Sequence, residues 1–258
     1  MADGQPGNMR IVETRRMFVK DSMVVVGFPT FGLVGSVAAS YLVHSMDMKL
    51  IGHMLSEDFP PVVVMENGVV EMPVRIYATQ VVCGIDGKCN QLVVVLSDIQ
   101  PPVEMLNTMA DVILNWAEER EVSLVIALEG HPFREDNLSE AQLVAMANRS
   151  ATPIFDHFGF AKASGMVTGF TGALLLSSVE RKLPVLSLVT QAHKDYPDAN
   201  AAAMLLEALN PLVPLLLIDT KPLREKAVQI EREMRKNIEL QHTSIRNLTQ
   251  EPGGEMYR

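Results

Sequence analysis

A chain of 258 residues, 48% of them hydrophobic, can bury one large core or two small ones. Its net charge of −9 excludes nucleic acid as a main partner, because neutralising phosphates takes clustered Lys and Arg. Two cysteines are too few for a disulfide framework, and the opening MADGQPGNMR lacks the apolar run of a secretory leader, so a cytoplasmic protein is expected.

In chain order, SMVVVGF reads as a buried strand, then a glycine turn, then the helical LVGSVAASYLVHSM. Two β-branched segments follow in PPVVVMENGVVEMPVRIYAT, where Asn67-Gly68 supplies the positive φ angles of a tight hairpin. Cys83 and Cys89 flank GIDGK, a hairpin tip; the pair reads as two reduced thiols or a labile cross-strand bridge, and lacks C-x-x-C spacing. QLVVVLSD is a core strand. Pro101 and Pro102 then open a helix in which Met105, Met109, Val112, Ile113 and Trp116 recur at helical spacing.

The alternation continues with SLVIALEG as a strand, SEAQLVAMAN as a helix, FTGALLLSSVERK as a helix and PVLSLVT as a strand. Asp198 is placed to cap the helix NAAAMLLEALNPLV. This pattern predicts an α/β domain over residues 1–220, with a mostly parallel sheet sandwiched by helices. No segment is both long and apolar enough to span a bilayer, since FGLVGSVAASYLVHS is too short and proline interrupts LNPLVPLLLID. Residues 221–248 carry Leu223, Ala227, Ile230, Met234, Ile238, Ile245 and Leu248 on one stripe. They predict a long amphipathic helix, packed on its own domain or on another subunit. Residues 249–258, TQEPGGEMYR, contain helix breakers and read as a flexible tail.

The search for chemistry starts at GFPTFGLVGS, where a glycine loop between strand and helix invites a phosphate. Gly27 and Gly32 match the first spacing of a P-loop, but Leu33 and Val34 stand where Lys and Ser/Thr are required. Gly27, Gly32 and Gly35 are therefore read as a structural loop for tight turning and close helix packing. The six histidines show no metal-binding spacing, and Ser36 in VGS does not make a hydrolase elbow. The polar cluster EGHPFRED, with Glu129, His131, Arg134, Glu135 and Asp136, lies past a strand end; a solvated loop and a ligand site are its two readings. Neither metal nor cofactor is expected.

Four segments together, GFPTFGLVGSVAASYLV, FPPVVVMENGVVEMPVRIY, GMVTGFTGALLL and YPDANAAAMLLEALNPLV, resemble the proteasome assembly chaperone family in its archaeal branch, over Met23 to Leu240. The resemblance implies a nucleoside-phosphorylase-like α/β fold without that chemistry. It also implies an ATP-independent, non-enzymatic binding protein and a homo-oligomer, a tetramer or pentamer. Similar archaeal proteins end in a hydrophobic residue, a tyrosine and any residue, positions held here by Met256, Tyr257 and Arg258. By that resemblance the tail enters pockets between adjacent α-subunits of the proteasome core particle. Met256 would fill apolar space, Tyr257 would pack and hydrogen-bond, and the Arg258 carboxylate would pair with a pocket lysine. Docking would serve assembly, gate opening or recruitment of a further partner. The alternative is a small-ligand-binding protein or enzyme on the same fold, using the EGHPFRED loop and the strand-end glycines.

Overall fold

A computed structural model describes residues 9–15, 20–79, 91–132, 143–194, 196–213 and 216–225. Among them the strands are β1 (Arg10–Glu13), β2 (Met23–Gly27), β3 (Lys49–Leu55), β4 (Val64–Glu66), β5 (Val69–Glu71), β6 (Val74–Ala78), β7 (Leu92–Ser97), β8 (Leu124–Pro132), β9 (Val144–Ala147) and β10 (Val185–Ala192). The helices are α1 (Val34–Ser45), α2 (Leu106–Glu119), α3 (Thr152–Phe158), α4 (Gly169–Ser178) and α5 (Ala199–Leu209). Eight strands form one sheet in the order β1-β3-β6-β7-β2-β8-β10-β9, and β4 and β5 pair separately.

The centre of the sheet, β7-β2-β8-β10, is parallel, and its flanks are antiparallel. The sequence reason is plain. Central strands such as Val24–Val26 and Val93–Val95 are unbroken β-branched runs, buried on both faces as a covered parallel sheet demands. One face packs α1 and α5 over Val25, Val94, Ile126 and Leu188; the other packs α2 and α4 over Val24, Val95, Val125 and Val185. This is the α/β sandwich expected from the sequence.

Local signals act where the sequence places them. Asn67 (φ 50°) and Gly68 (φ 81°) make the β4–β5 turn, and the Asp198 carboxylate accepts the Ala201 N–H at 2.9 Å to start α5. The α2 stripe buries Met109, Ile113 and Trp116. On its outer edge Trp116 Nε1 and the Arg120 guanidinium donate to Glu13, tying α2 to β1. β1, β3 and α3 are elements the sequence patterns above do not single out. Residues 221–225 are helical, and the rest of the predicted 221–248 helix lies outside the described residues, as do Cys83 and Cys89.

One predicted element is corrected. SEAQLVAMAN reads as a helix, yet Val144–Ala147 is a strand pairing antiparallel with β10. Ala145 buries into the α1/α5 core while Val144 and Met146 turn to the opposite face, so tertiary packing selects the two-residue period. Asn148 then ends the strand. Its Oδ1 accepts the Ala151 and Val185 N–H groups, and its Nδ2 donates to the Ser178 and Leu183 carbonyls, joining β9, α4 and β10 through one buried amide.

Candidate functional site

The loop from β2 to α1 is packed shut. A Cβ added to Gly27 would lie 2.3 Å from the Gly35 carbonyl oxygen, and one on Gly35 would lie 2.4 Å from that of Leu128. Gly32, at φ +60°, sits 2.9 Å by the same measure from the His193 carbonyl oxygen, and its own carbonyl accepts the Asp198 N–H at 2.8 Å. Thr30 Oγ1 accepts the Gly130 N–H at 3.1 Å, so this loop is laced to the C-terminal ends of β8 and β10. Polypeptide thus fills the space beside Gly27 and Gly35 where a phosphate loop would hold its ligand.

Beside it lies a cleft of about 1120 Å³, bounded by the ends of β8, β10 and β9, by α4 and by residues 163–168. Of the EGHPFRED cluster, Glu129 and His131 reach it; Arg134, Glu135 and Asp136 lie outside the described residues. Burial pushes the Glu129 carboxyl up from its usual range, partly offset by the Thr171 hydroxyl and by His131. His131 Nδ1 lies 3.1 Å from the Pro132 carbonyl. Met166, Leu176 and Val179 on the cleft wall are exposed, Met166 at 98%. No group of three His, Cys, Asp or Glu able to hold a metal occurs among the described residues.

A second exposed apolar area lies on the β4–β5 hairpin, where Val62, Val63, Met65, Val69 and Val70 are in contact with solvent. The hairpin is held from beneath. Arg75, 4% exposed, donates to Asp98 at 2.6 Å and to Glu66 of β4 at 3.4 Å, with its guanidinium 5.8 Å from the Tyr77 ring centroid. Burial pushes the Tyr77 hydroxyl up to about 12, and raises the Asp98 carboxyl despite the Arg75 charge beside it. Met256, Tyr257 and Arg258 lie outside the described residues.

A family model described as the PAC2 family matches residues 24–238. The chain belongs to the PAC2 family. Among solved structures it is similar to Pyrococcus furiosus PbaA, an archaeal homolog of proteasome-assembly chaperone, at 27% identity and a TM-score of 0.75. That match covers 92% of this chain and 99% of the other. It shares its fold with Pyrococcus furiosus PbaB, an archaeal proteasome activator, at 24% identity and a TM-score of 0.72, over 88% of this chain and 98% of that one. Among curated proteins, the uncharacterized MJ0106 of Methanocaldococcus jannaschii is 24% identical over 242 residues, 92% of this chain and 94% of that protein.

For this PAC2 family chain the sequence signals separate into two kinds. Gly27 and Gly35 meet at the C-terminal end of the central strand β2 and Gly32 packs on Ala192, His193 and Asp198, while the tail residues are remote from them in sequence. Sequence reasoning offered Glu129 and His131 as part of a ligand site, and missed the rest of the cleft and the hairpin surface. The wall over residues 163–168 was legible as GMVTG, whose glycines mark turning backbone without saying what it encloses. The hairpin's outward Met65 and Val70 had a signal, since apolar residues facing each other across a short Asn-Gly hairpin have no second layer to cover them.

Proposed function

We propose that this PAC2 family protein is an ATP-independent proteasome-binding factor, an assembly chaperone or activator-like adaptor, that engages the α-ring of the core particle through Met256, Tyr257 and Arg258. The observation that carries this reading is the similarity to PbaA along 92% of the chain at 27% identity. The ending in Met-Tyr-Arg behind Gly253-Gly254 supports it, because an aromatic and an apolar residue on a glycine tether gain most when a partner buries them.

A single tail binds weakly in this reading, since ordering a free peptide offsets much of its contact energy. Self-association supplies the rest: several tails on one homo-oligomer raise avidity roughly a hundredfold when their spacing fits the ring. The apolar surface of the β4–β5 hairpin supports association between copies, because exposed apolar patches on a lone subunit are disfavoured in water.

The test is capture of purified proteasome core particles by the full-length protein and by a version lacking residues 256–258. Loss of capture with an unchanged oligomer mass and melting temperature is expected. Equal capture by the truncated protein overturns the role of the tail.

A further inference from the structure

The β4–β5 hairpin has two unlike faces. Strand alternation turns Glu66 toward Arg75 and the body of the domain, and so sends Met65 and its cross-strand partner Val70 the other way. Both are more than half exposed, and exposed Val62 and Val63 lead into them, although a two-stranded ribbon with an apolar face needs a second layer. The charge around this face has one sign. Residues 56–72 hold Glu57, Asp58, Glu66 and Glu71 and no Lys, Arg or His. Among the described residues only Glu66 of the four is ion-paired, to Arg75 and His44. A surface that covers this face must be apolar and bordered by positive charge.

The molecule carries such a surface elsewhere. The cleft beside α4 is lined by Met146, Met166, Leu176 and Val179, and its exposed ionisable groups are His131 and Arg149. Arg149 forms no ion pair among the described residues, and the remaining ionisable group, Glu129, has its Oε2 shut off from solvent. We propose that the cleft of one copy receives the β4–β5 hairpin of a second copy, with Met65 and Val70 packed on Leu176 and Val179 and the hairpin carboxylates toward Arg149. At about 1120 Å³ the cleft exceeds the roughly 300–1,000 Å³ of small-molecule pockets and has room for a polypeptide turn. A hairpin cannot fill its own cleft. Arg75 anchors it at β6 on the α1/α5 face, next to Tyr77 of that core, whereas the cleft lies on the α4 side at the β8-β10-β9 end of the sheet. The two surfaces differ, so each copy gives one hairpin and receives one, and repetition closes a ring or runs on as a filament. The contact rests on the self-association in the function proposed above and makes no use of residues 256–258.

Full-length protein is weighed in solution by light scattering as the parent, as a hairpin variant (Met65→Glu with Val70→Glu) and as a cleft variant (Leu176→Glu with Val179→Glu). All four positions are exposed, so each variant is expected to unfold in one cooperative transition. The parent is expected as an oligomer and each variant alone as a monomer. Mixing the two variants restores one contact, between the intact hairpin of the cleft variant and the intact cleft of the hairpin variant. The mixture is expected to give a 1:1 heterodimer and nothing larger. Arg149→Glu, a single exposed change, should weaken association about threefold or more, with the loss shrinking as salt is added. A cleft variant with the parent's mass overturns the contact while leaving self-association in place, and a monomeric parent overturns both. A mixture that stays monomeric, or association undiminished in Arg149→Glu, also overturns the contact.

Discussion

Two glycine-bearing segments lie at the C-terminal ends of the central strands and obey opposite physics. In GFPTFGLVGS, Gly27 and Gly35 are present because backbone stands where a side chain would be, each within 2.4 Å of a carbonyl oxygen for an added Cβ. In SGMVTGFTG, Gly165 (φ +144°) and Gly169 (φ +72°) have nothing within 4 Å and are present for the conformation alone. The first segment interlocks three elements and leaves no room. The second swings away from the sheet and leaves the cleft, pinned at Gly172, where an added Cβ would lie 2.6 Å from the Val167 carbonyl oxygen. Glycine spacing in a sequence therefore does not distinguish a closed seam from an open wall. The two are joined at one point, where Phe28 of the first segment stacks on Phe170 of the second at 4.0 Å.

Gly35→Ala is the severest way to break the contrast. Its methyl would meet the Leu128 and Phe28 carbonyl oxygens at 2.4 and 2.7 Å, and backbone cannot step aside as a side chain does. A loss of about 4 kcal/mol or an insoluble product is expected in chemical denaturation; a variant as stable as the parent would show that the seam relaxes. Phe170→Ala removes the stacked contact between the segments and leaves a void against Phe28, which is 2% exposed in the intact fold. About 3 kcal/mol should be lost in the same assay.

Gly169→Ala meets no atoms and strains only φ, so about 1 kcal/mol is expected, a fall of about 2–4 °C in Tm. The smallest effect is proton-linked. Glu129 is raised in the folded state, so its stabilising share is complete below about pH 4.3 and is lost as pH climbs through the raised value. Glu129→Gln removes that loss. Melting temperatures of the two proteins, measured from acid to neutral pH, should diverge in the variant's favour as pH rises, with Asp98 common to both and cancelling. A constant difference would place Glu129 in contact with water.

Most of the fold was legible because its cause is local. The valine runs of β2 and β7, the Asn67-Gly68 turn and the Asp198 cap act within a few residues, and each lies where the sequence puts it. β9 was illegible for the opposite reason. Its residues favour a helix in isolation, and the β10 edge with the core under Ala145 outweighs that preference. The cleft was half legible: Glu129 stood out at a strand end, whereas Gln191 became its neighbour only through the parallel register of β8 and β10.

By itself the sequence determined the class of fold, the positions of its turns and caps, and the failure of the phosphate motif at Leu33 and Val34, because composition, periodicity and motif chemistry are properties of neighbouring residues. Tertiary structure alone decided that β9 extends the sheet, that Gly27 and Gly35 close one strand end, and that Glu129 and Gln191 lie together at another. β9 meets β10 across about forty residues of chain, Glu129 meets Gln191 across about sixty and Gly35 meets Leu128 across about ninety, and no local pattern encodes such approaches.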